Sequence, residues 1–161
     1  MQNFFSLRTV AWKNGKVRMI DQSRLPERLS YVQCRSYSEI AEAIRSMVVR
    51  GAPAIGVAGA MGMALAALRS KAKTRSSLLR DLEQAQKVLV KTRPTAVNLS
   101  WATRRVLDAA RTIEGEPRSI VKAVVEEARM MADEDVETNR TLGRNGAVLL
   151  RDGDIVLTHC N

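Results

Sequence analysis

Short apolar-rich runs of strand type occupy the first 35 positions, and the apolar spacing then lengthens,. The stretches SLRTVAW (6–12) and KVRMID (16–21) read as strands flanking Lys13-Asn14-Gly15. Asn-Gly is the strongest short hairpin signal, because both residues tolerate positive φ. A third strand is expected at 29–35, LSYVQCR, beyond the break at Leu25-Pro26. Cys34 falls among its apolar positions and reads as a buried side chain.

From Ser36 the spacing turns helical. SYSEIAEAIRSMVV carries apolar residues at 40, 41, 44, 47 and 48, with Ser38 as the candidate N-cap,. Arg50-Gly51-Ala52-Pro53 follows and opens a second helix, AIGVAGAMGMALAALRSKAK,. A third helix is expected at about 75–91, with Leu78, Leu79, Leu82, Ala85, Val88 and Leu89 on one face,. Arg93-Pro94 interrupts it, and a fourth helix runs from about Ala96 to Thr112, with Thr95 able to cap it,. The last helix spans roughly Arg118 to Thr141 and is expected to stop near Gly143 and Gly146,. After an Asp152-Gly153 turn, DIVLTHCN reads as a buried strand,. An apolar strand needs neighbours for its backbone groups, so a second polypeptide or a further half is expected to complete the structure. No internal repeat or low-complexity tract is present.

Composition narrows the class. Of 161 residues, 45% are apolar and 27% charged, enough to bury the core of one domain or one and a fraction,. Cys34 and Cys160 stand too far apart in sequence for a Cys-x-x-Cys knuckle, and His159 is the single histidine. That excludes a disulfide scaffold and His-rich zinc chemistry. No basic stretch followed by an apolar run opens the chain, so an intracellular, cytoplasmic setting is the expectation. Residues 51–68 carry no charge, but Pro53 near the start, Gly56, Gly59 and Gly62 inside, and seven alanines favour a closely packed buried helix over a membrane span,.

The net charge of +9 is uneven: residues 1–80 hold 14 Lys/Arg against 4 Asp/Glu, and residues 126–161 hold 4 against 8. The basic residues are scattered singly with few aromatics among them, which does not suit nucleic acid. A phosphorylated small ligand needs only two or three placed cations. Gly51 allows close approach to the backbone, the free N–H groups and dipole of the helix start favour an anion, and Arg50 adds a two-bond phosphate fork. Spacing alone favours an ordinary Pro-started helix beside a surface arginine. Arg93, just before another helix start, invites the same two readings. His159-Cys160 is not a dyad if the segment is a strand, since adjacent side chains point to opposite faces. Cys160 at the end of a parallel-type strand could act as acid, base or nucleophile, although composition alone favours an inert buried thiol. The acidic residues Glu126, Glu127, Asp133, Glu134, Asp135 and Glu137 lie along one helix and read as a solvated or partner-facing surface rather than a metal site.

Three segments change the balance. VRGAPAIGVAGAMGMALAA, TRPTAVNLSWA and LGRNGAVLLRDGDIVLTHCN, in this order, closely resemble the methylthioribose-1-phosphate isomerase family. That family is related to the regulatory subunits of initiation factor 2B and to ribose-1,5-bisphosphate isomerase. Met61 is a small departure, where the family often shows an aromatic residue. The resemblance implies a phosphate grip at Arg50, Gly51 and Ala52, a second phosphate-side arginine at Arg93, and a catalytic cysteine at Cys160. It implies a catalytic aspartate in a Rossmann-like second domain, no cofactor or metal, and a homodimer when complete. The fold class is then α+β: a mainly helical domain with a small N-terminal hairpin sheet over 1–147, and the first strand of a Rossmann-like domain over 148–161. The implied reaction converts a 1-phospho-aldose to its ketose, and the chain alone is expected to be inactive. A non-catalytic initiation factor 2B-like regulator and a ribose-1,5-bisphosphate isomerase are the alternatives. Neither nucleic acid nor a membrane is an expected partner.

Overall fold

The computed structural model describes residues 7–157 and 159. Three short strands, β1 (Val10–Lys13), β2 (Lys16–Ile20) and β3 (Tyr31–Cys34), form an antiparallel sheet in sequence order. Lys13 pairs with Lys16, so Asn14 and Gly15 alone make the β1–β2 turn, at φ of 51° and 69°. Those left-handed values match the twist of the flanking strands. Alternation sorts the faces: Val17 opposes Cys34 and both are buried, as is Met19. On the other face the Arg18 guanidinium lies 4.2 Å from the centre of the Tyr31 ring.

Five helices follow: α1 (Tyr37–Arg45), α2 (Ala52–Arg69), α3 (Arg75–Val90), α4 (Val97–Thr112) and α5 (Pro117–Ala147). Helix α2 is the centre, with every residue from Ile55 to Ala67 buried. It is long and apolar enough to cross a membrane, but its surroundings are the other four helices and the sheet. Its glycines explain how they come so close. A Cβ on Gly59 would run into Leu99 Cδ1 and lie 3.2 Å from Thr103 Cγ2, while one on Gly62 would lie 3.1 Å from Leu89. The small face of α2 therefore seats α4 and α3. Leu78, Leu82, Ala85 and Leu89 of α3 complete this core as the helical spacing predicts, and truncating one such leucine to alanine typically costs 2–5 kcal/mol.

Local chemistry sets the ends, and two caps differ from expectation. Ser36, not Ser38, caps α1: its Oγ accepts from the Glu39 amide at 3.2 Å, while Glu39 Oε2 accepts from the Arg35 amide at 2.8 Å. The two bonds together fix the start two residues early,. Helix α4 is preceded by Ala96 with no side-chain cap, so Thr95 does not cap it. The Ala96 amide instead donates to Arg93 O at 2.9 Å, a tight turn that places Thr95 outside the helix start. Thr74 and Ser77 form a capping box on α3. Arg75 closes the far end of α4, donating to the carbonyls of Arg111 and Ile113 at 2.6 and 3.0 Å.

Helix α5 runs beyond its expected end, through Gly143 and Gly146, which take ordinary helical φ. Its buried residues stop at Ala132, so the last turns project from the bundle. Beyond them Asp152-Gly153 makes the expected turn: Gly153 has φ of 88° and Asp154 Oδ2 accepts from the Arg151 amide at 2.7 Å. Residues 154–157, the described part of the expected final strand, pair with no strand among the described residues. The one sheet among the described residues consists of β1, β2 and β3, and this apolar segment joins neither of its edges. Ile155 and Leu157 are 100% and 97% exposed.

Candidate anion site at the start of helix α2

The turn between α1 and α2 is pinned from both sides. The Gln22 amide donates to Val48 O at 2.9 Å, the Val49 amide to Ala43 O at 3.3 Å, and the Arg50 amide to Gln22 Oε1 at 3.2 Å. Val49 is fully buried and anchors the turn. Gly51, the residue before α2, has φ of 88° and ψ of 133°. A side chain is strained in that conformation, although nothing lies within 4 Å of where its Cβ would sit,. The glycine is thus required by its backbone angle. It sends Ala52 and Pro53 into the first turn of an 18-residue helix whose leading amides no side chain caps. Such amides, with the helix dipole behind them, favour an anion.

Both predicted arginines belong to this end of the fold. Arg50 is half-buried, and its Nε is buried with no hydrogen-bond partner among the described residues. Arg93 comes from the turn after α3, and its Nη1 donates to Met47 Sδ at 3.2 Å. Met47 lies three residues before Arg50 and has φ of 63°. Two segments far apart in sequence are thereby brought together, and among the described residues neither arginine has a carboxylate partner. An arginine without a carboxylate beside uncapped helix amides can hold a phosphate through charge-assisted hydrogen bonds. Cys160, expected as the catalytic thiol, lies outside the described residues. Cys34 is the other thiol; burial, with a smaller push from the Glu39 carboxylate, raises its pKa to about 11. It is inert at neutral pH.

The acidic residues of α5 serve packing and surface pairing. Arg105 of α4 donates through Nε to Glu127 at 2.6 Å and through its two terminal nitrogens to Glu134 at 2.6 and 2.9 Å. These bonds hold the Glu134 carboxyl below its usual range. Asp133 pairs with Arg8 at 2.6 Å and Glu137 with Arg144 at 2.7 Å. Asp135 differs: desolvation raises its pKa, opposed by a hydrogen bond from Asn139.

Two hollows flank the α2 start. A cleft of about 580 Å³ lies between β1, the first turns of α2 and the projecting part of α5; neither Arg50 nor Arg93 lines it. A pocket of about 180 Å³ lies between the first turns of α2 and α4 and the middle of α5, with Pro53, Trp101 and Met131 in its wall. The sequence reading assigned no role to Trp101. The available signal was a tryptophan inside the TRPTAVNLSWA segment; it is 53% exposed in the folded chain.

Residues 48–161 match the model of the initiation factor 2 subunit family. Methylthioribose-1-phosphate isomerase of Geotalea uraniireducens is 45% identical over 157 residues, covering 97% of this chain and 45% of that protein. The protein of the same name from Geobacter metallireducens is 48% identical, with the same coverage. Among solved structures, translation initiation factor eIF-2B subunit delta from A. fulgidus superposes with a TM-score of 0.88 at 46% identity, over 97% of this chain and 45% of that one. 5-Methylthioribose 1-phosphate isomerase from Pyrococcus horikoshii superposes with a TM-score of 0.87 at 46% identity, over 91% of this chain and 41% of that one. The chain spans a little under half the length of the relatives it matches.

Proposed function

Because the chain belongs to the initiation factor 2 subunit family, we propose that it carries the phosphate-gripping part of an aldose–ketose isomerase that converts 5-methylthioribose 1-phosphate to 5-methylthioribulose 1-phosphate in methionine salvage. What supports the reading is an uncapped start of α2 behind the strained Gly51, with the unpartnered Nε of Arg50 beside it and Arg93 held against Met47 of the same α1–α2 turn. The relatives' names supply the substrate and the reaction.

The chemistry assigns roles. The anomeric phosphate blocks spontaneous ring opening, so the enzyme must assist it before hydrogen moves from C2 to C1. Arg50, Arg93 and the amides at Gly51 and Ala52 hold the phosphate and fix C1 and C2 in place. An aspartate on a second, Rossmann-like domain handles a proton on the ring or on O2, and Cys160 is the other proton-transfer group. In this reading α5 leads through residues 148–161 into that domain, which covers the exposed Leu149, Ile155 and Leu157. The complete enzyme is a cytoplasmic homodimer, and the 161-residue chain alone binds the sugar phosphate without turning it over.

A second reading is a non-catalytic regulator, favoured by the superposition on an initiation factor 2B subunit. The test is conversion of 5-methylthioribose 1-phosphate, followed by NMR, with the chain alone and with any second polypeptide that co-purifies. Ketose formation by the completed protein, abolished by Cys160→Ser, supports the isomerase. Binding without conversion by the completed protein supports the regulator.

A further inference from the structure

The pocket beside the α2 start bears on what the sugar carries at its far end. Pro53 and Gly56 lie on one face of α2, one turn apart, and the pocket runs along that face from the first turn,. The rise from Gly51 to Gly56 is about 7.5 Å at 1.5 Å per residue. About five single bonds of roughly 1.5 Å each separate the phosphorus of a pentose 1-phosphate from its C5, a span of the same order. A phosphate seated at Arg50 and Gly51 therefore leaves the 5-substituent within reach of this pocket, whose wall begins at Pro53.

Its walls are selective. Trp101 offers a half-exposed aromatic face, and Met131 a buried thioether beside it. Sulfur and aromatic groups attract one another, and a small apolar group gains by leaving water. The charged groups in the wall are both carboxylates, Glu134 and Asp135, with no lysine or arginine among the lining residues. Glu134 is held by Arg105, whose guanidinium lies 5.7 Å from the Trp101 ring centre and braces it. Asp135 has no cation partner among the described residues, and desolvation already raises its pKa. A second phosphate would meet this carboxylate unshielded.

We propose that Trp101, with Met131 and Pro53, seats the uncharged methylthio end of the substrate, and that Glu134 and Asp135 exclude a 5-phosphate. This rests on the phosphate reading of Arg50, and it separates a methylthioribose 1-phosphate site from a ribose 1,5-bisphosphate site.

The test is calorimetric titration of the 161-residue chain with four ligands: inorganic phosphate, ribose 1-phosphate, ribose 1,5-bisphosphate and 5-methylthioribose 1-phosphate. The methylthio sugar is expected to bind about tenfold tighter than ribose 1-phosphate, from burial of one to two methyl-sized groups. The bisphosphate is expected to bind no tighter than ribose 1-phosphate. Trp101→Ala should remove the methylthio preference and leave inorganic phosphate unchanged, and Trp101→Phe should restore most of it. Equal affinity for the two monophosphates, or tighter binding of the bisphosphate, overturns the pocket assignment while leaving the phosphate site standing. Loss of discrimination in neither Trp101 variant overturns it too. If none of the four ligands binds, or Arg50→Ala changes nothing, the phosphate reading itself fails and the pocket assignment falls with it.

Discussion

Replacing Gly51 with alanine separates backbone strain from packing, because the position demands one and not the other. Its φ of 88° and ψ of 133° are strained for any L side chain, yet a Cβ there would touch nothing. Holding alanine in such a region costs about 1–3 kcal/mol. Alanine also loses less chain freedom on folding, returning about 0.4–1 kcal/mol. The net loss lies between about 0 and 2.6 kcal/mol, with a central value of about 1.3 kcal/mol. With a urea slope near 2 kcal/mol per molar for a chain of this size, that central value lowers the midpoint by about 0.65 M. Relaxation of φ at 51 would also swing the Ala52 amide away from the anion position, so phosphate affinity should drop about tenfold. Gly115 is the control: its φ is 110°, its Cβ position is equally open, and it lies in the α4–α5 turn. Gly115→Ala should lower stability similarly and leave phosphate binding alone. A raised midpoint for Gly51→Ala would refute the claim that this glycine is there for its backbone angle.

Other perturbations address the core, the thiol and the α4–α5 clamp. Gly59→Ala places a methyl group against the fully buried Leu99; overpacking of about 1–3 kcal/mol should outweigh the ~1 kcal/mol helix gain, seen as a lower melting temperature. Cys34, with its pKa near 11, should resist alkylation at pH 7.5 in the folded chain and react at once in denaturant. Arg105→Met leaves the part-buried Glu127 unpaired and should cost about 1–3 kcal/mol at pH 7. The Glu134 carboxyl is depressed below 4.5 by the same arginine, so its share is present above that value and lost as pH falls through the depressed pKa. The stability gap between wild type and Arg105→Met should therefore narrow in denaturation series carried from pH 7 to pH 3. Arg93→Ala should weaken phosphate binding about tenfold or more, by loss of a charge-assisted bond, with little change in the urea midpoint.

Much of the fold is written locally. Asn14-Gly15 dictates its hairpin, and the leucine spacing of 78–89 dictates the buried face of α3. The misplaced caps show where local preference is undecided: Ser36 and Ser38 are equally good residues, and only the reach of Glu39 back to Arg35 selects the first. Gly143 and Gly146 read as stops, but a glycine costs a helix only about 1 kcal/mol, and α5 continues through both. The candidate site is legible as separate pieces. Arg50-Gly51-Ala52-Pro53 and Arg93-Pro94 each suggest an anion or nothing, and no spacing rule places Arg93 on Met47. That contact joins the turn after α3 to the turn after α1 and is set by tertiary packing. The pocket at Trp101 joins three helices and has no local signature at all.

The central claim is that a phosphate sits on the first turn of α2. Chemical-shift mapping of a ¹⁵N-labelled 161-residue chain, titrated with 5-methylthioribose 1-phosphate, tests it most directly. Saturable shifts centred on the Gly51, Ala52 and Ala54 amides and the Arg50 and Arg93 side chains, lost in Arg50→Ala, are the expected result. Shifts centred instead on the exposed basic groove of Lys87, Lys91 and Arg104, unchanged by Arg50→Ala, would contradict it.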